Sequence, residues 1–329
     1  MAVPLIERFR DRLPVSDATP IISLGEGSTP LLPAPRLAEE LGLRELWLKW
    51  EASNPTGSYK DRGMTVAVSK AVEEGAAAVI CASTGNTSAS VAAYAARAGL
   101  PALVLMPAGA VAGPKLAQAR MLGATVLQVR GDFDRALDAA RELGRRGTHV
   151  LVNSLNPYRR EGQKTAVFEI VEDLGGVPDA FVIPYGGGGN TSAYAQALRE
   201  SGLYAPLVSV QAADRHHTLA SAIRIGDPAH AEAVAASRAA VLTVSDEEIL
   251  GAWRLLASLE GLFCEPSSAV GIAALRRGDV EGERIVVTVT GHGLKDVAIA
   301  ERHAAPMIEV DADPDAIAAA APVRESARR

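Results

Sequence analysis

Short apolar runs rich in Val, Ile and Leu recur along the chain, and each is followed by a stretch with helical spacing. Residues 46–50 read as a strand, followed by a polar loop and a helix over about 63–74. Residues 78–82 read as a strand, and Gly85 opens an alanine-rich helix to Ala98. The same alternation gives strands at 102–106, 125–129, 150–153 and 181–184, with helices at 113–122, 134–145, 162–173 and 191–200. Two further strands are expected at 207–211 and 285–290. Strands that are apolar at nearly every position, alternating with helices, predict parallel sheets covered on both faces. No fixed-period repeat is present.

In open sheets of this kind ligands sit beyond the carboxyl ends of the strands. Four polar segments follow predicted strands: 54–62 (Asn-Pro-Thr-Gly-Ser-Tyr-Lys-Asp-Arg), 83–87 (Ser-Thr-Gly-Asn-Thr), 186–191 (four glycines, then Asn-Thr) and 290–293 (Thr-Gly-His-Gly). Each mixes glycine with hydroxyl or amide side chains. The topology predicts that they converge on one site.

The length of 329 residues suggests two domains, or one large α/β unit with an insertion. Lys+Arg number 33 against 39 Asp+Glu, for a net charge of −6 and no basic run, which disfavours general nucleic-acid binding. Two cysteines, Cys81 and Cys264, build neither a disulfide scaffold nor a zinc cage, and the six histidines lack metal-ligand spacing, so no metal site is expected. The N-terminus is charged at once, without the apolar stretch of a signal peptide. The longest uncharged stretch, 75–96, is broken by a polar run costly in lipid, so no membrane span is expected. A cytoplasmic protein is the default.

Gly186, Gly187, Gly188 and Gly189 lie between a strand and a helix. Backbone N–H groups can crowd round an anion there, and the helix end adds partial positive charge, which suits a phosphate. No Gly-Lys-Ser/Thr follows, so this is not a P-loop. A dinucleotide fingerprint stays open, since Asp214 follows the next predicted strand, and so does a plain flexible turn. The segment 83–87 exceeds what one helix cap needs. A lone lysine such as Lys60 is usually solvated. Beside a phosphate-type loop it acquires a second reading, because a deprotonated lysine amine forms a Schiff base with an aldehyde.

Residues 54–63 resemble the lysine motif of the fold-type II pyridoxal-phosphate enzymes, and most closely that of the threonine synthase family. Segments 26–31, 81–87, 153–159, 161–165, 263–269 and 290–296 match in the same order, so the resemblance covers about residues 20 to 300. It implies an α/β fold of the tryptophan synthase β type, with two open parallel-sheet domains. The smaller, mobile domain (50–153) is inserted in a larger one (1–49 and 154–329), and the site lies between them. It implies pyridoxal 5′-phosphate as cofactor, held covalently by Lys60, which also acts as general base and acid. Asn86 would bond the phenolic oxygen, Gly186 to Gly189 and Asn190 the phosphate, and Thr290, with Thr288 a weaker candidate, the pyridine nitrogen.

The implied reaction converts O-phospho-L-homoserine and water to L-threonine and phosphate. The substrate phosphate would be held by Thr87, Asn153, Ser154 and Arg159, with Lys115 closing over it. Ser83 and Thr84 would contact the substrate carboxylate. The family suggests a homodimer acting on a small amino acid. The glycine loop departs from the family's Gly-Asn-x-Gly-Asn, since Gly187 and Gly188 leave out a side-chain contact. The segment after Gln211 is shorter than usual, and His216 and His217 read as surface residues. Rival readings are a serine/threonine dehydratase or β-replacement enzyme, a dinucleotide-dependent oxidoreductase, and a catalytically silent binding protein.

Overall fold

The computed structural model describes residues 3–109 and 113–320. Its strands are β1 (Leu31–Pro33), β2 (Glu45–Trp50), β3 (Val79–Ala82), β4 (Ala102–Pro107), β5 (Thr125–Val129), β6 (Val150–Leu151), β7 (Ala180–Pro184), β8 (Leu207–Ala212), β9 (Ala240–Val244) and β10 (Arg284–Val289). They form a six-stranded sheet in the order β1-β2-β10-β7-β8-β9 and a four-stranded sheet in the order β5-β4-β3-β6. The described residues from 297 onward form a unit of their own, in which the helices Val297–His303 and Pro314–Ala320 carry no buried residues.

The apolar runs do what their pattern predicts. β3 and β7 are buried at every position. Parallel register places Val287 opposite both Leu48 and Val182, and Cys81 opposite Val104. One expectation needs correction: the larger sheet is mixed, because β1 runs antiparallel to β2. β1 is three residues long and ends in Pro33, which has no N–H to give, so only an edge position accommodates it. β9 at the opposite edge also lies outside the predicted elements. It is largely exposed and follows an alanine-rich stretch that blurs its start.

The helix expected from residue 63 begins at Lys60. Asp61 explains the difference. Its carboxylate accepts from the Thr56 N–H and hydroxyl, both at 2.7 Å, and from Ser90 at 2.7 Å. These bonds turn the loop into a helix three residues early, so the lysine stands on a rigid first turn.

That helix, Lys60–Glu73, packs against the helix Pro157–Leu174 through two glycines. A Cβ on Gly63 would lie 2.5 Å from the Arg159 carbonyl, and one on Gly162 1.9 Å from the Arg62 carbonyl. Backbone meets backbone there, and no side chain fits. Beside the contact Arg62 is fully buried. Its guanidinium donates to Glu51 at 2.7 and 2.8 Å and to Glu169 at 2.8 and 2.6 Å, and Lys49 reaches Glu169 at 3.0 Å. Burial alone would raise the Glu169 pKa. The Arg62 charge and hydrogen bonds, followed by Lys49, overrule it and hold the carboxyl at about 2.

Two expectations follow. Gly162→Ala should destabilise the fold by about 3 kcal/mol or more, because neither main chain can yield; urea denaturation measures it. The depressed Glu169 pKa gives stability that is present above the ordinary carboxyl value near 4.5 and is lost as pH falls toward about 2. Glu169→Gln should flatten that acid limb while lowering stability at neutral pH, because Arg62 and Lys49 lose their counter-charge. Unfolding curves from pH 2 to 7 decide this.

Candidate active site

The lysine loop is fastened to the turn after β10. The Tyr59 N–H donates to the Thr290 carbonyl at 3.0 Å and the His292 N–H to the Gly57 carbonyl at 2.9 Å. Lys60 is therefore fixed beside Thr290. Its Nζ donates to the Tyr59 hydroxyl at 2.7 Å and lies 4.5 Å from that ring's centre. Thr290 is buried, its hydroxyl 3.0 Å from that of Ser268, whose oxygen also accepts from the N–H groups of Thr290 and Gly291. Thr288 points elsewhere: its hydroxyl bonds Tyr194 in the core.

Asn86 opens the helix Asn86–Ala98 after β3. Its Nδ2 donates to Glu265 at 2.8 Å, and the Glu265 N–H donates to the Gly291 carbonyl at 2.9 Å. Asn86, Lys60 and Thr290 thus meet through the 263–269 and 290–292 segments, as their placement at strand ends predicts. The resemblance places Lys115 over a substrate phosphate. In the structure its ammonium is committed to Glu265 at 2.7 Å, Asp296 at 3.1 Å and the Ser221 hydroxyl at 2.9 Å. Burial pushes the Lys115 pKa down, and the two carboxylates more than reverse this.

The glycine loop follows β7. Gly188 has φ +82° and caps the helix Gly189–Glu200. A Cβ there would also lie 2.9 Å from Val234, so only glycine fits. Asn190 is buried beside it. Arg215 donates to the Gly186 carbonyl at 2.7 Å and the His230 N–H to that of Gly187 at 3.0 Å, so these bonds use the loop's carbonyls and not its N–H groups.

The remaining candidates gather at the ends of β3 and β6. The Ser83 hydroxyl accepts from the Gly85 N–H at 3.0 Å, Thr84 is exposed and Thr87 half-buried. Asn153 differs from its expected role as a ligand. Both ends of its amide bond the Ala82 main chain at 2.9 Å, extending the β3–β6 pairing with a side chain. The Ser154 carbonyl accepts from the His230 ring at 3.0 Å. Arg159 is 1% exposed and donates Nη1 to the Val152 carbonyl at 2.8 Å, while Nε and Nη2 have no protein partner. Burial pulls its pKa down; Tyr59, Cys81 and Asp61 are the neighbours that oppose this.

Tyr59, Gln163, Glu265 and Ser268 lie within the matched segments but carry no role in the sequence reading; His230 lies in none of them. Glu265 had one legible signal, a lone charge in an apolar and small-residue run that must be buried and therefore paired. His216 and His217 are exposed, as expected. Burial pushes the Cys81 thiol up to about 12 and raises Cys264 as well, so neither is a nucleophile at neutral pH. Among the described residues no cluster of three or more His, Cys, Asp or Glu could hold a metal.

Buried side-chain polar atoms are normally paired. Here Ser58 Oγ, Asn86 Oδ1, Arg159 Nε and Nη2, Asn190 Nδ2 and Ser267 Oγ have no protein partner, and all belong to the segments just described. With an amine at Lys60, a hydroxyl at Thr290 and a glycine-lined helix start, these residues fit a phosphorylated aldehyde with a heteroaromatic ring. Pyridoxal 5′-phosphate is such a group, and it is the cofactor of the class of enzyme that the fold and site define.

The family described as pyridoxal-phosphate dependent enzyme matches residues 22–291. In fold the chain is similar to maize serine racemase, with TM-score 0.77 and 22% identity over 87% of this chain and 94% of that one. It is also similar to a T.th. threonine deaminase, with TM-score 0.73 and 27% identity over 88% and 97%. In sequence it is 47% identical to the threonine synthase of Halalkalibacterium halodurans over 317 residues, 89% of each chain. It is 48% identical to that of Synechocystis, in a match that covers 94% of this chain and 88% of the other. The chain belongs to the threonine synthase family of pyridoxal-phosphate dependent enzymes.

Proposed function

We infer that the chain is a threonine synthase, a lyase that converts O-phospho-L-homoserine and water to L-threonine and phosphate. The sequence identity to threonine synthases supports this, and Arg159 is the observation that carries it. A guanidinium out of water with two nitrogens uncommitted, close to the ends of β3 and β6, has the charge and the donors that a phosphate takes.

When bound, pyridoxal 5′-phosphate supplies the electron sink for loss of the substrate's Cα proton. Lys60 Nζ would hold the cofactor, and the same amine would carry protons at Cα and Cβ. Thr290 would offer the pyridine nitrogen a hydroxyl, Asn86 would offer the phenolic oxygen an amide, and Gly186 to Asn190 would offer the cofactor phosphate their N–H groups. Arg159, Thr87 and Ser154 hold the substrate phosphate, and Ser83 and Thr84 the carboxylate. Asn153 keeps this loop in place through Ala82.

The same reading takes residues 50–153 as a smaller mobile domain. In support, the four-stranded sheet falls wholly inside that range and the six-stranded sheet outside it, apart from Trp50. It extends to a homodimer, as the family resemblance implies, and takes the cytoplasm as its default location. No helix among the described residues is long and apolar enough to cross a membrane.

The purified, cofactor-loaded enzyme should release phosphate from O-phospho-L-homoserine and form threonine in equal amount. Ammonia release from threonine or serine in its place would favour the dehydratase reading. Borohydride reduction and peptide mapping should label Lys60. Arg159→Lys, which keeps the charge and loses the planar fork, should raise KM for the phosphorylated substrate about tenfold or more and leave threonine binding unchanged. An equal effect on both ligands would remove Arg159 from the phosphate site.

A further inference from the structure

His230 lies outside every matched motif, yet it touches both loops to which phosphate binding is assigned. Its N–H donates to the Gly187 carbonyl at 3.0 Å. Its Cβ lies 3.2 Å from where a Cβ on Gly188 would sit, and its ring 3.5 Å from the equivalent point on Gly189. On the other side, Nε2 is 3.0 Å from the Ser154 carbonyl. A carbonyl only accepts, so Nε2 carries the hydrogen and donates. Burial lowers the ring's pKa, the Ser154 bond opposes this, and the charges of Arg160 and Lys60 add to it. The neutral ring therefore keeps one hydrogen, on Nε2, and the imidazolium would keep the same donor.

The glycine loop follows β7 in one sheet, and Ser154 follows β6 in the other. Asn153 holds the Ser154 loop through Ala82, and His230 holds it through the Ser154 carbonyl. We propose that His230 is a positioning residue that ties the glycine loop to the Asn153–Ser154 turn and so sets the spacing between the cofactor phosphate and the substrate phosphate. The proposal rests on the threonine synthase reading above. It gives one side chain control over a distance that the two sheets, as separate hydrogen-bonded layers, do not fix. The His230 main chain is seated against the same loop, since a side chain on Gly188 would crowd Val234, Tyr185 and the His230 Cβ.

The test compares His230→Leu with His230→Gln in the holoenzyme. The glutamine amide nitrogen falls where imidazole Nε2 does and can donate to Ser154; leucine cannot. Leucine should raise KM for O-phospho-L-homoserine and the inhibition constant of inorganic phosphate about 5- to 20-fold, with kcat and threonine affinity within about twofold. Glutamine should restore both constants to within about threefold of the parent enzyme. Hydrogen exchange of the apoenzyme gives a readout independent of turnover. Amides at 153–156 and 186–190 should exchange faster in the leucine variant and at the parent rate in the glutamine variant. Equal behaviour of the two variants, or a leucine effect equal on threonine and on phosphate, overturns the proposal. If the parent enzyme does not act on O-phospho-L-homoserine, the functional reading falls, and the exchange rates still decide whether His230 ties the loops.

Discussion

A guanidinium removed from water without counter-charges and acceptors costs the fold several kcal/mol. Arg62 meets that demand with Glu51, Glu169, Thr29 and Thr165, drawn from the end of β2, the Pro157–Leu174 helix and the segment before β1. Three separate pieces of chain are therefore fixed to one side chain. Lys60 stands two residues earlier on the same helical turn. The Lys60 amine inherits its position from a charge network it does not touch. The two glycine contacts at Gly63 and Gly162 are the steric half of the same constraint, for they allow the helices to approach until Arg62 reaches Glu169.

From that anchor the site is assembled by strand ends. β3 and β6 deliver Ser83, Asn86, Asn153 and Ser154 from one sheet; β7 and β10 deliver the glycine loop and Thr290 from the other. Main-chain bonds then cross between loops: Tyr59 to Thr290, His292 to Gly57 and Glu265 to Gly291. Backbone pairing of this kind is insensitive to side-chain identity. The lysine loop keeps its shape while the side chains on it remain free of that pairing.

The alternation of apolar runs and helices was legible because period and burial coincide, and the four glycine-and-hydroxyl segments were legible because strand ends collect ligands. Helix starts were less so. Lys60 reads as loop until Asp61 is seen to fold Thr56 back, a contact between residues five apart that no periodicity reports. The helix Asp246–Glu260 lies outside the predicted elements although Ser245 and Glu248 form a reciprocal cap, a signature that local sequence does carry. His230 had no signal of any kind. Its meaning comes from the Ser154 carbonyl, 76 residues away.

Lys115 shows why a matched motif fixes position better than role. Reaching a substrate phosphate would require it to loosen its hold on Glu265 and Asp296, and would leave the fully buried Glu265 to its other cationic neighbour, Lys295, whose ammonium already donates to the Thr56 carbonyl and Gln118. Arg159 faces no such cost, since two of its nitrogens are uncommitted. The two cations therefore divide the work. Lys115 supplies the counter-charge of Glu265, and Glu265 is the acceptor that orients Asn86. Arg159 carries the charge that a phosphate would meet. Lys115 is thus linked to Asn86 through Glu265, so a move of its ammonium toward a phosphate would be felt at Asn86.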